Sequence, residues 1–156
     1  MAVTIPGSGN VVIQVVSVPF TTGYSYASVG TGSYTDTAIT ASITPKFASS
    51  KILVQISCTL GMGSGDANCG IAPAIKRGSS TIAGNFGAQV NSATNGEYFA
   101  SVPFIQYLDS PATASATTYT LQVKTVYGTT TAYINRAYYA STGFQAVITL
   151  TEISQA

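Results

Sequence analysis

Lys51 to Leu60 reads KILVQISCTL, and this stretch decides the fold. Ile52, Val54, Ile56, Cys58 and Leu60 fall on one face of an extended chain, with Gln55, Ser57 and Thr59 on the other. A period of two is the signature of a half-buried β-strand, because successive side chains point to opposite faces of the sheet. Working outward, Thr118 to Tyr127 repeats the pattern. Tyr119, Leu121, Val123 and Tyr127 form the inward set, against Thr118, Thr120, Gln122 and Lys124. Phe144 to Ile153 does so again, with Phe144, Ala146, Ile148 and Leu150 set against Gln145, Thr149 and Thr151.

Further strands are predicted at Thr35 to Thr44, Ile71 to Arg77, Ser80 to Ala83, Tyr98 to Leu108 and Thr131 to Asn135. Val11 to Val18 is apolar almost throughout, which predicts a strand covered on both faces. Pro103 cannot donate to a ladder, so it places its run at an edge or a bulge. No segment carries a helical period. Long turn regions at Gly61-Met62-Gly63-Ser64-Gly65-Asp66 and Gly84 to Gly96, and the turn opened by Asp109-Ser110-Pro111, separate the strands. Eight or nine strands with no crossover helices predict an all-β, antiparallel β-sandwich of jelly-roll type. Residues 1–10, with Pro6, Gly7 and Gly9, read as an N-terminal arm, and residues 11–156 as a single domain.

The chain has 156 residues, 46% of them hydrophobic, which is enough to bury a core without cross-links. Charged residues make up only 7%, against about a quarter in an ordinary globular protein. Thr, Ser, Asn and Gln must therefore keep the surface wet. A net charge of +1 with six scattered cations offers no basic patch, which argues against nucleic acid as a partner. Near-zero net charge also favours association. The opening MAVTIPGSGN lacks a basic region followed by an apolar run, and no stretch approaches the ~18 apolar residues of a membrane span. The expectation is synthesis in the cytoplasm without membrane insertion.

Histidine is absent, which removes Ser-His-Asp and Cys-His catalysis and any His-ligated metal. Paired carboxylates of the glycosidase kind remain, drawn from Asp36, Asp66, Glu97, Asp109 and Glu152. Their contexts read as turn caps for Asp66 and Asp109 and a solvated strand position for Glu152. The expectation is no enzyme, no metal and no cofactor. Cys58 and Cys69 read as buried small hydrophobes. A cross-strand disulfide is conceivable if the strands on either side of the glycine-rich loop pair. Tyr138 and Tyr139, after Arg136 in the segment between two strands, could stack on sugars or pack at a subunit rim.

Several segments, in order, resemble a family of short bacteriophage virion surface domains found as tail-fibre tips and head-decoration proteins. They are VIQVVSV (Val12 to Val18), ASITPKFASSKILV (Ala41 to Val54), FIQYLDSPATASATTYT (Phe104 to Thr120), YINR (Tyr133 to Arg136) and ITLTEI (Ile148 to Ile153). The resemblance implies a homotrimeric β-sandwich knob on the virion surface, made in the host bacterial cytoplasm, with no catalytic residues.

Two virion roles follow. A capsid decoration, or cement, protein would bind the major capsid protein. Its attachment arm would use Val3, Thr4, Ile5 and Pro6, since Val3 and Ile5 alternate with Thr4 and can add a strand to a neighbour's edge. The absence of a shaft between Met1 and the domain favours this role. A tail-fibre tip would instead join fibre or tail proteins and recognise a host surface glycan or protein. Arg136, Tyr138 and Tyr139 are candidates for recognition or for the subunit rim. A small glycan-degrading enzyme is disfavoured by the chain's size and its few acids.

Overall fold

The computed structural model describes residues 10–62, 70–86, 89–90, 99–136 and 144–154. Among them thirteen strands follow one another without a helix. They are β1 Val12–Phe20, β2 Tyr24–Val29, β3 Thr35–Ile43, β4 Lys51–Ser57, β5 Leu60–Met62, β6 Gly70–Arg77 and β7 Ser80–Gly84. The rest are β8 Gln89–Val90, β9 Phe99–Ser101, β10 Phe104–Asp109, β11 Thr117–Tyr127, β12 Thr130–Ile134 and β13 Ala146–Ile153. The expected all-β sandwich is present, divided more finely than its periodicity suggests. The run beginning at Lys51 breaks at Cys58-Thr59 into β4 and β5, and Val102-Pro103 separates β9 from β10.

Every pairing is antiparallel, and the three sheets share one lateral order. Sheet 1 runs β1-β13-β4-β10, sheet 2 β2-β12-β5-β9, and sheet 3 β3-β11-β6-β7, with β8 also on β6. The path β1 to β2 to β3 keeps the first position throughout. The reverse path β13, β12, β11 keeps the second, and β4, β5, β6 the third. Pairing the first strand with the last, and inserting the last between the first and the fourth, is the Greek-key winding of a jelly roll. Sheet 1 packs over sheet 3, with β1 and β13 approaching β3.

The core follows from the register. Rows such as Val16–Leu150–Val54–Tyr107 and Val18–Ile148–Ile56–Ile105 line the inner side of sheet 1. Ile52, Val54, Ile56, Ile148 and Leu150 are fully buried, and meet Ile39, Ile75, Leu121 and Val123 of sheet 3 in one cluster. Two expected core residues lie outside it. Tyr127 is exposed because the β11–β6 register shifts after Thr125, which reverses the alternation. Phe144 is exposed because it precedes β13 rather than belonging to it.

Val11 to Val18 also departs from expectation. β1 is an edge strand, and Val11, Val12 and Val15 are more than half exposed instead of covered. Nothing among the described residues lies over its outer side.

One corner is held by Asn135, fully buried at a positive φ of 59°. Its Nδ2 donates to the carbonyls of Phe20 and Thr22, each at 3.1 Å, and its backbone N–H donates to Thr59 O at 2.7 Å. The β1–β2, β4–β5 and β12–β13 connections are thereby tied at a single residue. Asn is suited to the place because it tolerates the left-handed conformation better than other side chains. Close by, a Cβ on Gly23 would lie 2.7 Å from the Cβ of Arg136, so the corner requires glycine there.

Candidate assembly surface

The two outward faces of the sandwich differ in chemistry. On sheet 3 the outward rows carry Thr40, Thr120 and Lys76, then Asp36 and Gln122. Hydroxyls bridge the strands, Thr40 to Thr120 at 3.0 Å and Ser42 to Thr118 at 2.7 Å. Lys76 pairs with Asp36, which also accepts from Gln122 Nε2 at 2.6 Å. The Lys76 contact, aided by Gln122, holds the Asp36 carboxyl below the usual range although burial pushes it up. Lys124 sits 4.7 Å from the centre of the Tyr34 ring. Thr40, Ser42, Thr118 and Thr120 lie open on this face, while Gln122 and its β6 neighbours Ala74 and Ala72 in the following rows are buried.

Sheet 1 is more apolar at its margins, though Ser17 and Thr149 also pair their hydroxyls at 3.2 Å. Its outward rows are Val15–Thr151–Leu53–Leu108, Ser17–Thr149–Gln55–Gln106 and Pro19–Val147–Ser57–Phe104. A further row adds Val12, Ile153 and Lys51, and Lys51 is the one ionisable side chain in these rows. Val15 is 56% exposed, Leu108 47% and Phe104 65%, and Val102 continues the patch at 65%. Exposed apolar side chains thus sit at the margins of this face, around a polar middle row.

Two of the carboxylates expected at solvated or turn positions are buried. Asp109 and Glu152 lie on the inner side of sheet 1 in one row, on either side of Ile52. Arg77 Nη1 donates to both Asp109 oxygens at 2.9 Å, and Tyr119 Oη donates to Oδ2 at 2.7 Å. The acid thus bridges β10 to β6 and β11 across the sandwich. Burial, and then the bond to Asp109 and its charge, push the Tyr119 hydroxyl far above its usual range.

Glu152 is fully buried. It accepts from Gln14 Nε2 at 2.6 Å and from the Lys46 backbone N–H at 2.7 Å, with the Phe47 N–H longer at 3.4 Å. The Ser50 hydroxyl lies near, outside hydrogen-bond geometry. Burial alone would raise its pKa. The surrounding donors outweigh burial and lower it. Both acids are engaged in joining strands and loops. Neither faces an open cleft with a free oxygen, as a glycosidic acid or base must.

Of the candidate site residues, Arg136 is described: its Nη1 donates to Ser25 Oγ at 3.0 Å, and its guanidinium lies 5.1 Å from the centre of the Tyr133 ring. It serves the corner held by Asn135. Val3, Thr4, Ile5, Pro6, Tyr138 and Tyr139 lie outside the described residues, as do Asp66, Glu97 and Cys69. Cys58 is buried and unbridged, and burial pushes its thiol up to about 12. Among the described residues there is no cluster of three or more potential metal ligands, and no helix is long and apolar enough to cross a membrane. The outward face of sheet 1 was the feature that alternation alone passed over. Its signals were Leu53, out of phase in KILVQIS, and Phe104 and Leu108, four residues apart and so on one side of FIQYLD.

No family model matches this chain, and no curated protein matches it. Among solved structures it is similar to one described as the structure of infectious bursal disease virus, Gx strain. That similarity has a TM-score of 0.43 and 12% identity, and covers 89% of this chain and 36% of that chain. This chain therefore spans little more than a third of that chain's length.

Proposed function

We propose that this chain is a non-enzymatic structural subunit of a bacteriophage particle, a capsid decoration protein forming homotrimeric knobs on the head. The observation that carries the reading is the contrast between the two outward faces. One carries open cross-strand hydroxyl pairs beside Lys76 and Asp36, and the other has exposed apolar margins with Lys51 its one ionisable side chain, which suits it to being covered. A subunit fixed in an assembly needs that pairing, whereas a free enzyme needs neither. The wound, two-layered sandwich, with both internal acids committed to strand joining, suits a long-lived particle exposed to proteases. The phage assignment and the three-fold symmetry rest on the segment resemblance, and the arm through Val3, Thr4, Ile5 and Pro6 is the attachment element.

The test is the position of the protein on purified particles. Labelled antibody should decorate heads, and a chain lacking residues 2–9 should fold yet fail to rebind particles stripped of the protein. Label confined to tail tips would assign the fibre-tip role, with a host surface glycan or protein as partner. Particles without label would reject a virion role altogether.

A further inference from the structure

We propose that the outward face of sheet 1 is a self-recognition surface, on which two copies of this chain meet about a two-fold axis lying in the plane between them. The inference rests on the assembly reading above and adds to it: a cyclic trimer contains no two-fold contact, so this face joins copies from different trimers.

The first argument is electrostatic. Foreign partners are usually selected by complementary charge, and this face has almost none to offer. With Lys51 its single ionisable group, at the margin, two identical faces approach without like-charge repulsion. Self-association places few demands on such a surface.

The second argument is the pattern of the rows. The four corners of the face are apolar: Val15 and Leu108 end one row, Pro19 and Phe104 end another. The row between them is polar, running through Thr149 and Gln55 at its centre. An in-plane two-fold must reflect one copy's face onto the other's. If the axis runs across the strands, Val15 meets Pro19, Leu108 meets Phe104, and the polar row lies on itself. If it runs along them, Val15 meets Leu108 and Pro19 meets Phe104, again with polar on polar. Either choice matches apolar corners to apolar corners, and an isologous contact asks for that self-complementarity.

The third is size. Four strands spaced by ~4.8 Å and about eight residues long at ~3.4 Å each project roughly 500 Å². That is below the ~800 Å² per partner of a standard interface and in keeping with a micromolar contact. The same contact accounts for the composition of β1, whose apolar residues on both sides read as a doubly covered strand. Its second cover is the partner copy.

Position 55 lies at the centre of the face and is only half-buried, so charged substitutions there test the contact without emptying the core. Under either axis it faces its own counterpart or the adjacent column. Wild type should associate at micromolar concentration in even multiples of any smaller unit, measured by sedimentation and light scattering. Gln55→Glu and Gln55→Lys should each weaken that association about tenfold or more through facing like charges, with melting curves that match wild type at concentrations too low for association. An equimolar mixture of the two should recover it, because opposite charges then face. Three results overturn the proposal: wild type with no such even association, variants that associate as wild type does, or a mixture no tighter than its components. The measurement needs no virus particle. A chain that associates in this way but is absent from virions would reject the virion role and leave this contact standing.

Discussion

Glu152 carries a formal charge into the interior of a protein that has very few charges. Its position was legible in part. It shares parity with Ala146, Ile148 and Leu150, so the alternation that buries them turns it inward too. What the sequence does not display is the set of donors, because Gln14 and the Lys46 and Phe47 amides come from far along the chain. The same holds for Asp109, which follows Ile105 and Tyr107 in register but meets Arg77 only once the sheets pack. Glu152→Gln should destabilise by about 1–3 kcal/mol, since its amide would set a donor against backbone donors. The pH dependence has a definite sign. A folded pKa below the unfolded ~4.3 contributes stability at higher pH that is lost as pH falls through the folded value. Wild type should therefore lose melting temperature on acidification below about pH 4.5, and the variant should lose less over that range. Equal acid sensitivity in the two would remove Glu152 from this role.

Among the strands, β4, β11 and β13 were clear from alternation, because each buries one face against aliphatic neighbours. Ile56 is the test of that register, sitting between Ile148 and Ile105 on the inner side of sheet 1 with no exposure. Ile56→Ala should cost about 2–5 kcal/mol in denaturant unfolding. A loss below about 0.5 kcal/mol would place Ile56 outside the core. β2 was missed because Tyr24 to Val29, YSYASV, alternates Tyr with Ser and offers no aliphatic face. The breaks at Cys58-Thr59 and Val102-Pro103 were only half visible. Proline marked one. The other is held by the Asn135 N–H bond to Thr59 O, a contact 76 residues distant that no local pattern reports. β1 was read as doubly buried when its own chain covers one side. The second cover is what the proposed contact with another copy would supply.

For the molecule as a whole, composition foretold a Thr-rich, charge-poor sandwich, and the structure assigns those two properties to different faces. The order β1-β13-β4-β10 could not be read from strand positions, because many windings satisfy the same alternation. Nor could the clustering of outward apolar residues on sheet 1, which depends on that order. In the proposed assembly the outward face of sheet 1 is covered while Thr40, Thr118 and Thr120 of sheet 3 meet solvent. A reconstruction of the purified particle at a resolution that separates strands tests it most directly. The expected result is knobs in which Val15, Leu108 and Phe104 lie against protein density and Thr40, Thr118 and Thr120 face water; sheet 1 open to solvent with sheet 3 buried would contradict it.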